Sequence, residues 1–180
     1  MPRLIYLPNR ISMKGLKDLL LLGDPRLYER CAPVLPSEFS LVPGWVADLH
    51  QAMEEIRARY HFGRGIAAPQ LGIMKRVIYL NIDAPMVFIN PKLTDLSTEM
   101  MEVWDDCMCF PNLLVKVKRH RKLTIVYTDL AGERQQWTVS DDLSELLQHE
   151  FDHLEGVLCT MRAIDHQSFR WRPTDLNIHS

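Results

Sequence analysis

The run QHEFDHLEG, Gln148 to Gly156, constrains the chain more than any other stretch, because its spacing predicts a helix with polar chemistry along one inner edge. At about 100° per residue, His149 and His153 lie roughly 40° apart and project from adjacent turns of one face. Leu146 and Gly156 flank that face. Leu143, Leu147, Phe151, Leu154 and Leu158 form a broad apolar stripe to one side of it, and Glu145, Gln148, Asp152 and Glu155 lie on the other. Glu150 falls at the border of the stripe, where burial would disfavour its charge and raise its pKa, as a general base working near neutral pH requires. Ser140, Asp141 and Asp142 precede the helix, and any of them can cap it.

Two imidazoles at i and i+4 are half of a metal site, and a third protein ligand leaves one position open for water. A glutamate on the apolar edge favours that reading over ordinary surface or core histidines. Cys159, six residues after His153, stands where an extended zincin motif would supply a third histidine, but beside Leu158 it reads better as a small buried thiol. The richer source is WDDCMCFPN, Trp104 to Asn112. In an extended segment Cys107 and Cys109 face opposite ways, so only one of them reaches the helix.

Before that helix the order of elements is helix, then strands. Trp45, Val46, Leu49, Met53, Ile56 and Tyr60 recur at helical spacing after a Pro43-Gly44 turn, with Gly63 as the stop. Arg76 to Ile82, Val87 to Leu93, Leu114 to Lys118 and the alternating Leu123, Ile125 and Tyr127 read as strands. Asp129 to Glu133 reads as a hairpin loop into another strand, Gln135 to Val139. This order predicts an α+β fold, with small antiparallel or mixed sheets around the histidine-bearing helix and a second helix near the N-terminus. With 180 residues, 47% of them hydrophobic, the chain supports one core, and no repeat or long linker divides it. We expect a loose arm over 1–18, a single catalytic domain over 19–165 and a tail over 166–180; Met13 is as good a start as Met1.

Twenty-one basic against 23 acidic residues leave a net charge of −2, which points to no nucleic-acid or membrane partner. The apolar run Leu19 to Leu22 is too short for a span or signal core, so a cytoplasmic location is expected. The four cysteines contain no CxxC pair, and free thiols or metal ligation suit them better than disulfides.

HFGRGIAAPQLG, His61 to Gly72, formally satisfies G-x-G-x-x-A, the dinucleotide fingerprint. The context is wrong for that use: the motif follows a helix rather than a strand, and Pro69 would obstruct the helix needed to hold a pyrophosphate. It reads instead as a glycine-rich exit from the first helix, or as a tight backbone passage beside a site. Gln70 at its end carries an amide able to donate to a substrate oxygen.

The three segments GRGIAAPQ (Gly63 to Gln70), DDCMC (Asp105 to Cys109) and HEFDH (His149 to His153) together resemble the peptide deformylase family, whose motifs run GxGxAAPQ, EGCLS and HExDH in this order. The likeness extends from about Leu19 to Met161. It implies the peptide deformylase fold, with Cys107, His149 and His153 as ligands of one divalent ion, typically ferrous iron, with zinc or nickel as substitutes. It implies Glu150 as general base, Gln70 and the Met108 backbone N–H as oxyanion donors, and Gly65 as the backbone position that pairs with the peptide. Arg64, Ile66, Asp105, Glu145 and Leu146 fall on the substrate side. The implied reaction is hydrolysis of the N-formyl group from the initiating methionine of new polypeptides. The implied partners are formyl-methionyl peptides and the ribosome near its exit tunnel, in a bacterium or an organelle.

The departures from the family pattern concern the second motif and the substrate pocket. Asp105 replaces a glutamate with one methylene fewer, so a bond made by the longer carboxylate is expected to be lost. Asp106 takes a glycine position, which Asp tolerates even at positive φ. Cys109 replaces serine and brings a second thiol near the ion. Arg64 and Glu145 stand where apolar residues border the methionine pocket, and we expect both to be solvated rather than paired. Two other functions fit the same residues: a deformylase-like protein that binds peptides without turnover, and a zincin-like endopeptidase.

Overall fold

The computed structural model describes residues 13–172; most of the expected arm and the end of the expected tail lie outside the described residues. Two helices and eight strands follow in the order α1 (Val42–Tyr60), β1 (Gly65–Ala67), β2 (Val77–Asn81), β3 (Pro85–Thr94), β4 (Met100–Asp106), β5 (Leu113–His120), β6 (Lys122–Thr128), β7 (Arg134–Ser140), α2 (Asp141–Leu154) and β8 (Phe169–Trp171). β1, β2, β3, β6 and β7 form one sheet in that spatial order, and β4, β5 and β8 form a second. Every strand pairing within them is antiparallel, as the α+β expectation allows. No helix among the described residues is long and apolar enough to cross a membrane.

α1 buries Leu49, Ala52, Met53 and Ile56 against Ile66, Val77 and Tyr79. Its ends differ from expectation. Pro43 and Gly44 lie inside its first turn, where proline's missing N–H costs nothing, rather than in a turn before it. The stop is His61, which takes the left-handed conformation at φ 60° while its N–H caps Arg57; Gly63 lies beyond, in the loop.

α2 sits between the sheets. Leu146, Leu147 and Leu154 pack with Ile78, Leu80, Phe88 and Ile125 of the larger one. Deleting a side chain as enclosed as Leu147 would cost about 2–5 kcal/mol. The helix ends at Leu154, and Gly156 turns the chain at φ 70°. Leu158 therefore falls outside the helical stripe and packs with Val115, Val117 and Cys159 beside the smaller sheet.

Polar bonds set the rotation of α2. Gln148 Nε2 donates to His120 O at 2.9 Å, Gln148 Oε1 accepts from His120 N at 3.0 Å, and Ser144 Oγ donates to the same carbonyl at 2.7 Å. The helix is thereby fastened to the end of β5, where the chain passes from the smaller sheet to the larger. None of the expected caps bonds the first turn: Ser140 occupies the N-cap without a side-chain bond, while the carboxylates of Asp141 and Asp142 go to Arg121 and Arg64.

The body is longer than 19–165. Lys14 Nζ donates to Leu71 O at 2.7 Å and Leu16 N to Glu55 at 2.7 Å, while Phe169–Trp171 pairs with β5.

Candidate metal centre

One turn of α2 separates His149 from His153, and their Nε2 atoms lie 3.2 Å apart. Cys107 Sγ approaches His153 Nε2 to 3.4 Å. The three donors lie within 4.8 Å of one another, and all three residues are buried. The chain turns directly after β4, with Phe110 N donating to Cys107 O, so Cys107 and Cys109 do not alternate as in a strand. Both sulfurs instead face Gln70 Nε2, at 3.8 and 3.6 Å. Of the two, Cys107 is the one grouped with the helix histidines, although both sulfurs face the same amide.

A thiolate and two imidazoles suit a divalent transition metal, and a fourth position stays open for water. Two buried lone-pair nitrogens and a sulfur this close repel unless protons or a cation lie between them, so the donor set fits an ion. Burial, and then Cys109, pushes the Cys107 thiol well above its ordinary pKa; a cation would reverse that and hold it as thiolate. Burial and the neighbouring His149 keep His153 well below the usual histidine range, neutral and able to ligate. Cys159, Asp105 and His149 also offer donors within 4.8 Å of one another. Asp105 is already committed there to His149 and to the guanidinium of Arg119, a cation that already balances its charge. Cys159 is the small buried thiol of the sequence reading.

His149 is held from behind. Asp105 Oδ1 lies 2.7 Å from its Nδ1, Asp105 Oδ2 accepts from Arg119 at 2.6 Å, and Arg119 donates on to Asp152 at 2.5 Å. Asp152 in turn takes two bonds from Arg162. Burial opposes charge on Asp105, but His149 and Arg119 outweigh it and hold the carboxyl well below the usual range. The aspartate side chain reaches both partners, and while Asp105 also borders the cleft, its two oxygens face His149 and Arg119. Arg119 and Asp152 escaped the sequence reading. The available signal was alternation in β5, where Arg119 continues the inward face of Val115 and Val117. Asp106 is an ordinary strand residue opposite Leu114, bonded to Arg172, with no positive φ to tolerate.

The centre opens into a cleft of about 630 Å³ lined by Gly65, Gln70, Met108, Leu146, His149 and Glu150 among others. Glu150 is buried, and its Oε2 has no partner among the described residues. Burial pushes its carboxyl up to about 7. Gly65 makes room for it: a Cβ there would lie 2.9 Å from Glu150 Oε1 and 2.6 Å from Leu80. The glycine-rich passage thus leads into a strand, β1, with a 3-10 turn after it that carries Gln70. Gln70 Oε1 accepts from Ala67 N at 2.8 Å, which aims Nε2 at the two sulfurs.

Two substrate-side expectations fail. Ile66 alternates away from Gly65 and is fully enclosed in the α1 core, so its side chain is not on the cleft. Arg64 and Glu145 are paired rather than merely solvated, although Arg64 keeps 39% of its side chain exposed. Arg64 bonds Asp142 and lies 3.5 Å from Glu145, whose side chain is only 12% exposed. Burial, then the Asp105 charge, pushes Glu145 up to about 8.

The sequence profile of the family described as polypeptide deformylase matches residues 16–169. A peptide deformylase of Thermotoga petrophila is 32% identical over 139 residues, 76% of this chain and 80% of that one. Among solved structures, a Synechococcus elongatus peptide deformylase in complex with actinonin is 29% identical with a TM-score of 0.77, covering 89% of this chain and 88% of that one. A class I type b enzyme from Acinetobacter baumannii with Met-Ala-Ser bound is 28% identical with a TM-score of 0.70, over 84% and 98% of the two chains. The larger sheet, the helix packed on it, β4, β5 and the three converging donors fall within the matched span, and the chain belongs to the polypeptide deformylase family.

Proposed function

We propose that the chain removes the N-formyl group from the initiating methionine of new polypeptides and releases formate. The observation that carries this is the convergence of Cys107, His149 and His153 beside an unpartnered, buried Glu150 at the floor of an open cleft. A divalent cation held by the three ligands would supply a Lewis acid and lower the pKa of water to about 7.

The protein's own groups do the rest. β1 is an outer strand of its sheet, so its free edge can pair with an extended peptide at Gly65. Glu150 takes the proton of the attacking water and returns it to the leaving amine. Gln70 Nε2, held by Ala67, and the Met108 N–H supply donors where charge develops on the formyl oxygen. The buried shell around the ligands keeps bulk water from these groups.

Iron is the cation we assign, with zinc or nickel able to replace it, since soft sulfur and imidazole suit all three. Formylated termini come from the ribosome, so the compartment of such translation, a bacterial cytoplasm or an organelle, is the place of work. The test is formate release from formyl-Met-Ala by anaerobically prepared protein. Release with iron supports the reading; none with iron, nickel or zinc overturns it.

A further inference from the structure

The free edge of β1 is open in one direction only. Beyond Ala67 the chain enters the buried 3-10 turn Ala68–Leu71. Before Gly65 the cleft continues along Arg64, Gly63 and Phe62, with Ile82 on the same cleft. A Cβ at Gly65 would lie 2.9 Å from Glu150 Oε1, which sets the point of hydrolysis beside that residue. A peptide with its formyl end there must send its later residues back towards Gly63, antiparallel to β1. With methionine beside Gly65, the third residue of the peptide comes beside Gly63.

That stretch has little of its own to hold it. His61 N closes α1 on Arg57 O at 3.0 Å, and Arg64 O accepts from Asn81 N at 3.0 Å. Between them, among the described residues, the backbone of Phe62 and Gly63 has one hydrogen bond: Arg57 Nε donates to Gly63 O at 2.7 Å. Gly63 stands at φ 121°, and a passage with glycine at both 63 and 65 takes many shapes unless it is tied. The same guanidinium donates through Nη2 to Asn81 O at the end of β2, and through Nη1 to Glu54 at 2.7 Å. Arg57 thus joins the last turn of α1, the passage and β2 through a planar group whose donors are fixed relative to one another. Gly63 in turn packs under Met108, since a Cβ there would lie 2.8 Å from the Met108 methyl.

We propose that Arg57 is a positioning residue for the part of the substrate beyond methionine. It holds Gly63 in place before the peptide arrives and so spares binding the cost of ordering the passage. Peptides too short to lie along Gly63 gain nothing from this.

The proposal rests on the deformylase reading and is tested on the metal-loaded protein with formyl-Met-Ala and formyl-Met-Ala-Ser. Arg57→Met keeps the stem and removes the donors. We expect it to raise KM for formyl-Met-Ala-Ser by about tenfold, the scale of ordering one short segment at binding, while KM for formyl-Met-Ala and both kcat values stay within about twofold. Arg57→Lys retains one donor for Gly63 and should recover part of the loss. Should Arg57→Met not fold, Arg57→Lys should show the same dependence on length in smaller measure. A change that is equal for the two peptides, confined to kcat or absent overturns the positioning role and leaves the deformylase reading standing. Formate from neither peptide with the parent protein overturns the deformylase reading. The dissociation constants of Met-Ala and Met-Ala-Ser then decide the role of Arg57: a weakening confined to Met-Ala-Ser supports it, and an equal or absent one overturns it.

Discussion

Asp105 Oδ1 stands 2.7 Å from His149 Nδ1, a contact between the end of β4 and the middle of α2 that decides which imidazole nitrogen can ligate. A proton on Nδ1, facing this carboxylate, would leave the lone pair on Nε2, which faces His153 Nε2. Asp105→Asn keeps the size and removes the charge. We expect its affinity for the cation to fall by about 10–100-fold in chelator competition, the usual effect of losing such a partner.

Arg119 joins Asp105 to Asp152 in the interior. Arg119→Met leaves both carboxylates without their shared guanidinium, although Asp152 keeps Arg162. Removing one member of a buried ionic set costs about 3–5 kcal/mol, and urea denaturation should show a loss of that order.

Glu150 must be ionised to take a proton. Burial pushes it up to about 7, and a cation nearby favours the charged form, so the acid limb of kcat/KM should fall below pH 7. The rate should drop as pH falls through that value, because the protonated form cannot act as a base. Glu150→Gln should lose about 10²–10⁴-fold in kcat while binding the same amount of metal.

Gly65→Ala forces a Cβ to within 2.6 Å of Leu80 and 2.9 Å of Glu150 Oε1. One of the two must move, and a carboxylate displaced by about 1 Å can cost ~10²-fold in rate. Steady-state kinetics should show kcat reduced, with unaltered metal content.

The sequence carried the chemistry better than the geometry around it. The histidines, Glu150 and the apolar stripe of α2 were legible because a helix turns fixed spacing into a fixed face. Cys107 was legible only through motif order, since the turn after β4 depends on bonds that no local pattern announces. Arg119 and Asp152 were hidden because a buried ion pair joins residues 33 positions apart, and each alone looks like a surface charge. Arg64 and Glu145 were misjudged for a related reason: exposed pairs are weak, but the start of α2 encloses one partner of this pair.

X-ray absorption on the zinc-loaded protein would test the ligand set directly. We expect one sulfur at about 2.3 Å and two imidazole nitrogens at about 2.0–2.1 Å, with the sulfur signal lost in Cys107→Ser and kept in Cys159→Ser. A first shell without sulfur, or a sulfur that survives Cys107→Ser and vanishes with Cys159→Ser, would contradict the centre described above.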